Sequence, residues 1–343
     1  MKLAYLRYFI WFLLVSTLTF NSGISAAETK DIYLSPSGND HNDGLTAMNS
    51  LASLQRALDV SSGLSSTNSA TVRILVGEGS YLGQTGVTGG LPNGGALHIE
   101  ALEANKSPAT FNGNGTSETW LRINNSRGAP SRIRVYGLEI VNFETAISFN
   151  GNRDNIKMWN GENIISDNIF MNIGQISQKS AKPSTAAIRL INSRGNLIFH
   201  NKFINIRNIS RCSLLHAIYV AHNSTDNIIE QNFFDGGCGD AIRFRDASHR
   251  NAIKSNTFRD AWDRAPISDW YCDAENRNDC TKSSGECPSF NNVVDFSKIV
   301  TRNANVVPNI LTYGPDISNR CPNRLQSDTR FIVGNNNSLF QEK

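Results

Sequence analysis

The chain has 343 residues, with 33 Lys and Arg against 30 Asp and Glu, a net charge of +3 and 18% charged residues. That balance excludes the basic footprint of a nucleic-acid-binding domain, and only the N-terminal apolar stretch approaches the length of a membrane span. The length suffices for one large core, or for a solenoid of about eight to ten coils.

In chain order the first element is a secretion signal. Lys2 and Arg7 give a positive start, residues 8–20 an apolar segment, and Ser25-Ala26-Ala27 a small-residue cleavage site before Glu28. Residues 1–27 are therefore expected to be a signal peptide and 28–343 the mature chain, secreted or periplasmic. A retained N-terminal anchor is the alternative, although the apolar run is short for a span.

Residues 31–34 read as a strand running into the turn Ser35-Pro36-Ser37-Gly38-Asn39-Asp40. Residues 50–60 place Leu51, Leu54, Ala57 and Leu58 at helical spacing, which predicts a short helix. Such a helix would cap the open end of a solenoid core. Residues 72–76 and the turn Gly77-Glu78-Gly79-Ser80-Tyr81 open that core, and residues 82–130, rich in Gly and Asn, hold weakly marked coils.

From Ile133 to Trp262 the chain repeats itself. Ala187-Ile188-Arg189-Leu190 leads to Asn201-Lys202-Phe203, Ala217-Ile218-Tyr219-Val220 to Asn232-Phe233-Phe234, and Ala241-Ile242-Arg243-Phe244 to Asn256-Thr257-Phe258. A fainter copy holds Asn168-Ile169-Phe170, so the recurring Asn falls at 168, 201, 232 and 256, with steps of 33, 31 and 24 residues. A short fixed unit with variable excess is a solenoid whose loops bulge from constant coils. Its apolar runs are short, β-branched or aromatic, and punctuated by Asn, Gly, Ser and Asp, which marks strands and turns. Three short strands and three turns fill such a unit, giving an all-β parallel β-helix. The recurring Asn reads as scaffold. It tolerates a tight left-handed turn, and its amide can bond to the Asn above and below.

Six cysteines in an exported chain point to disulfides. Cys212 and Cys238 each precede an Ala-Ile strand and lie 26 residues apart, about one coil, so they are expected to pair. The pairing of Cys272, Cys280, Cys287 and Cys321 stays open, and none forms the Cys-x-x-Cys spacing of a zinc site. Beyond Trp262 the repeat decays, and residues 262–343 are expected to be irregular, disulfide-pinned coils of the same single domain.

By this repeat, and by the strand, Ser-Gly-Asn-Asp turn, short helix, strand and Gly-x-Tyr that precede it, residues 31–260 resemble the right-handed parallel β-helix proteins of the pectate-lyase-like superfamily. The resemblance does not extend to catalytic motifs. The Asn-Thr-Asp, Asp-Asp, Gly-His-Gly and Arg-Ile-Lys set of polygalacturonases is absent, as are the Trp-x-Asp-His and Arg-x-Pro-x-x-Arg patterns of plant-cell-wall pectate lyases. In the family the Asn column marks the tight second turn. That would make each Ala-Ile-x-x segment the first strand of its coil, walled by loops at 174–185 and 207–215.

Strand alternation then assigns the faces. Ile188, Leu190, Ile218, Val220, Ile242 and Phe244 face the core, while Arg189, Tyr219 and Arg243 form one outward column and Ile191, Ala221 and Arg245 the next. His216 and Asp240 align at the strand entrance, and His222 and Asp246 at its exit. Arginines and a Tyr on a groove floor suit an acidic polysaccharide, because Arg forks onto carboxylates and Tyr stacks on sugar rings.

The chemistry expected there is β-elimination of a uronate glycoside, which needs a cation for the carboxylate, a base for the C5 proton and an acid for O4. His216 is the candidate base, oriented by Asp240, and Tyr219 the proton donor. Arg243 and Arg245 would hold the carboxylate, and Arg189 would bind substrate. An Arg243 base with a bound cation is the version that relatives of this fold imply. The other readings are a C5-epimerase, a glycoside hydrolase, and a non-catalytic β-helix that binds exported exopolysaccharide. His216 could instead turn inward and hydrogen-bond within the core.

No cofactor is fixed by this reading. Asp260, Asp263, Asp269 and Asp273 could bind Ca²⁺ or supply acid pairs for hydrolysis, with loop solvation the plainer role. His200, His222 and His249 read as surface residues, Glu230 and Lys254 as an ion pair, and Trp262 as a plug for the last clear coil. The expected partner is an acidic polysaccharide, not nucleic acid or membrane, and the chain is expected to be monomeric.

Overall fold

The computed structural model describes residues 28–343, except 65–69, 104, 116–117, 175–183, 260–261, 263–264, 274–279, 281–284, 296, 302–309, 315–320, 322–328, 336–337 and 342–343. The signal segment 1–27, most of the loop 174–185, and Asp260 and Asp263 lie outside the described residues.

The repeat winds into three parallel sheets of ten, nine and eight strands. One coil runs Ile164–Ser166, Ile169–Met171, Ala186–Ile191, the next Leu197–Phe199, Lys202–Ile206, His216–Ala221. Ile228–Glu230, Phe233–Gly237, Asp240–Arg245 and then Ala252–Lys254, Thr257–Arg259, Ala265–Trp270 follow. Coils stack in register, with Ile188, Ile218, Ile242 and Ile267 on successive rungs of the third sheet. This is the right-handed parallel β-helix that the periodicity predicts, and the six core positions assigned by alternation are all buried.

Two Asn ladders, not one, hold the coils in register. Asn168, Asn201, Asn232 and Asn256 donate side chain to side chain at 3.0–3.1 Å at the turn between the first two sheets. Asn163, Asn196, Asn227, Asn251 and Asn292 form a second ladder at 2.6–3.0 Å where each coil enters its first strand. The left-handed residue of the tight turn is the one before the ladder Asn: Asp167, His200, Gln231 and Ser255 have φ near +55°. Asn is thus selected for its amide rather than for its tolerance of positive φ. Each such bond contributes about 1 kcal/mol net, whereas a buried amide left without its partner costs about 1–3 kcal/mol. Behind the ladder, Phe170, Phe203, Phe234 and Phe258 stack at 4.8–5.1 Å and fill the second sheet's share of the core.

The capping helix spans Leu54–Leu64, starting later than the spacing suggested because Leu51 bridges Leu34 instead. It buries Leu54, Ala57 and Leu58 against the first coil, where even a β-carbon on Gly86 would collide with Leu58. Cys212 pairs with Cys238 as expected, and Cys272–Cys280 and Cys287–Cys321 complete the set. Trp262 plugs the coil as expected, edge-on to Phe234 at 6.4 Å. Past it, Asn292–Asp295, Lys298–Thr301 and Ile310–Thr312 add another strand to each sheet. Asp269 departs from the solvated loop expected of it. It lies in the core beneath Arg330, which donates to its carboxylate at 2.8 Å and to its backbone oxygen at 3.0 Å.

Candidate active site on the third sheet

The outward face of the third sheet carries the predicted columns. Arg122, Ser148, Arg189, Tyr219, Arg243 and Ser268 occupy successive rungs, with Ile191, Ala221, Arg245 and Trp270 alongside. Tyr219 packs with Ala186, Ala221 and Ile191 in an apolar cluster separate from the main core, which confirms that it faces out of the coil. The open groove expected there is nevertheless covered. Tyr219 is 9% exposed, Arg243 8% and His216 2%. Glu286 and Tyr313 reach the site from beyond Trp270.

His216 stacks on Tyr219, with ring centroids 5.7 Å apart and planes 12° from parallel. Its Nδ1 lies 2.8 Å from the Asp240 carbonyl oxygen and 3.3 Å from the Asp240 backbone nitrogen; in the tautomer that donates to the nearer carbonyl, Nε2 is the basic nitrogen. Asp240 therefore contacts His216, as expected, and does so through its backbone. Its carboxylate is bound to Arg243 and to the Ser268 hydroxyl, which donates to it at 2.8 Å. Ser268 in turn accepts from Arg243 Nε at 2.9 Å, while Tyr313 covers the guanidinium. Asp240 is fully buried, and its Oδ1 has no hydrogen-bond partner among the described residues. Arg243, expected to grip a substrate carboxylate, is spent on this internal triangle.

Arg245 is organised differently. It forks onto Glu286 at 2.6 and 2.7 Å, donates to the Tyr219 hydroxyl at 3.0 Å, and lies 4.2 Å over the Trp270 ring. Glu286 also accepts from Arg153 at 3.2 Å and from the Cys272 N–H at 2.8 Å. Burial, the largest single influence, works against the Arg245 charge, but the hydrogen bonds and charges of Glu286 and Tyr219 together outweigh it and leave its pKa above the ordinary arginine value. Burial also raises the Tyr219 pKa, with Arg245 pulling the other way, so the phenol keeps its proton. Arg189 donates to Ser148 at 3.1 Å and forms no ion pair among the described residues. Burial first, and Arg122 second, push its pKa down, as befits a cation lacking a counter-charge.

His222 is not a surface residue. It is buried, with Nδ1 2.8 Å from Asp246 one coil on. His222, Asp246 and Glu286 bring ligand atoms within 4.8 Å of one another, a set that could hold a metal ion. Both Glu286 oxygens, however, already accept from arginine or backbone donors. His249 is half-buried and stacks on Phe290 at 5.7 Å, His200 is exposed as expected, and Glu230 and Lys254 are register neighbours.

Several residues of this site escaped the sequence reading. Ser268 sits on the next rung of a predicted column and Arg122 on an earlier one, so extending the register would have found them. Glu286 and Tyr313 lie beyond the repeat and Arg153 in a loop between two of its strands, and no periodicity signals them.

Solved structures similar to this chain share its fold. They include the pectate lyase Pel9A (TM-score 0.52, 11% identity, covering 84% of this chain and 68% of that one). An alginate lyase from a Paenibacillus species matches likewise (0.52, 11%, 84% and 99%). A tailspike protein of E. coli bacteriophage HK620, solved with a hexasaccharide, matches over 80% of this chain and 46% of its own (0.51, 11%). At such identities the likeness establishes the parallel β-helix alone. No protein-family model matches the chain, and no curated protein matches it in sequence.

Proposed function

We propose that this chain is a secreted or periplasmic lyase that cleaves a uronate-containing polysaccharide by β-elimination on the third sheet. The observation that carries the reading is the Glu286 carboxylate seated in the fork of Arg245, whose guanidinium lies over the Trp270 indole and donates to the Tyr219 hydroxyl. This is the environment a uronate carboxylate needs: a two-point guanidinium contact and an apolar ring face. A substrate carboxylate taking the place of Glu286 would put a sugar ring against Tyr219 and His216.

In that pose the His216 Nε2 takes the C5 proton, and the electron pair forms the C4–C5 double bond. The C4–O4 bond breaks, and Tyr219, kept protonated by burial, supplies the proton to O4. Arg245 neutralises the carboxylate as charge develops at C5, and Arg189, without an acidic partner among the described residues, binds a neighbouring uronate. Arg243, tied to Asp240 and Ser268, holds the Tyr219 rung rigid. The three disulfides suit an oxidising compartment. The pectate and alginate lyases with this fold support the reaction class by analogy only.

The test is incubation with a panel of uronate polymers, followed by the ultraviolet absorbance of unsaturated product. His216→Ala should abolish turnover with the fold intact. Reducing ends without unsaturation would select hydrolysis, and C5 inversion without cleavage an epimerase. A second reading, a polysaccharide-binding protein without turnover, is favoured by the burial of His216 and the internal pairing of Arg243 and Arg245. Binding with neither product would select it.

A further inference from the structure

A cavity of about 610 Å³ lies off the third sheet, where successive coils turn back toward the first. Coil residues including Arg194, Asn223, Thr225 and Arg250 form one side, and Phe290 and the Cys287–Cys321 disulfide the other. Its volume falls in the range of small-ligand sites. Asp246 lies in its wall and pairs with His222 one residue past the strand that carries Arg245, so the cavity adjoins the candidate active site without including it.

The charges of the lining are unequal in their pairing. Arg250 is offset by a two-point contact to Asp226 at 2.8 Å, and Asp246 is held by His222 and the Cys287 N–H. Arg194 has no carboxylate partner among the described residues. It lies 5.5 Å over the Trp159 ring, donates through Nη2 to the Ile156 carbonyl at 2.6 Å, and makes a longer bond to Asn192 at 3.4 Å. Burial, the largest cause, lowers its pKa and Arg250 adds to the effect, while the Asp226 charge opposes them. The cavity therefore presents a guanidinium with no carboxylate in contact among the described residues, beside amide and hydroxyl groups. Ile156, about half exposed, and Phe290 supply an apolar edge.

We infer that this cavity is a second, anion-selective sugar subsite that takes a single uronate unit. The carboxylate would face Arg194, the hydroxyls Asn223 and Thr225, and the apolar ring face Ile156. The identity of the ligand as a uronate rests on the acidic-glycan reading above, whereas selectivity for an anionic sugar rests on the cavity itself.

The experiment is binding of glucuronate, galacturonate, a short oligouronate and neutral glucose to the mature protein, measured by ligand-detected NMR and calorimetry. The wild type should bind both uronates and bind glucose at least about tenfold more weakly, as the loss of a charge-assisted fork requires. Arg194→Ala should erase that preference. Ile156→Asp, a change at an exposed position that leaves the fold intact, should weaken uronate about tenfold while sparing glucose. Tighter binding of the oligouronate than of either monosaccharide identifies a polymer unit as the natural ligand, and equal affinity a free uronate. Equal binding of glucose and uronate, or full uronate binding by both Arg194→Ala and Ile156→Asp, overturns the inference. Failure of turnover with Arg194-dependent binding intact would sink the lyase alone.

Discussion

Glu286 and Arg245, 41 residues apart in the chain, meet in a two-point ion pair on the outer face of the third sheet. The pair is buried, and its acid belongs to a segment outside the repeat. In the proposed reaction this acid holds the place of the substrate's carboxylate.

Glu286→Gln is therefore expected to have two opposed effects. Removing one partner of a buried pair should cost about 3 kcal/mol of stability, read as a lower melting temperature. It should also free the Arg245 fork and lower KM for oligouronates. A raised KM would mean that Glu286 assists binding rather than occupying the subsite.

Tyr219→Phe deletes the hydroxyl that accepts from Arg245 and little else. Turnover should fall by roughly 10²–10⁴, the usual contribution of a positioned general acid, while stability changes by about 1 kcal/mol. Retained turnover in a folded Tyr219→Phe protein would remove the phenol from the mechanism.

The pH dependence of stability has two limbs. His98, outside the site, is pushed down to about 4 by burial and by Arg134 and Arg73. The unfolded chain thus binds more protons than the folded one between pH 4 and the ordinary histidine value of 6.5. Stability should rise with pH across that window and be lost as pH falls through it. Tyr81 and Tyr219 are raised above 10 by burial, so the folded state holds their protons longer and stability should fall as pH rises past 10. NMR titration of His98 and melting curves in His98→Gln check the acid limb. A His98 pKa near 6.5 would contradict it.

Chelation is expected to leave turnover in place, because Arg245 and Arg189 supply the positive charge. Activity lost in EDTA and restored by Ca²⁺ would instead assign His222, Asp246 and Glu286 as ligands.

Legibility in the sequence followed the repeat. Phe203 and Asn201 recur one coil apart in identical surroundings, so their stacking and the core parity of Ile188 and Leu190 could be read from spacing alone. The same register brought His216, Tyr219, Arg243 and Arg245 to one face. It could not show that the face is covered. The contacts that cover or rearrange it join the repeat to sequence without period: Arg245 to Glu286, and Asp269 to Arg330 across 61 residues. His222 looked like a turn residue because its burial depends on Asp246, one coil further along.

The most direct test is the appearance of unsaturated uronate product from a polyuronate panel with wild-type and His216→Ala proteins of matched melting temperature. The account predicts product from at least one polymer with the wild type and none with His216→Ala. Equal rates in the two proteins, or wild-type protein that releases no unsaturated product from any polymer, would contradict it.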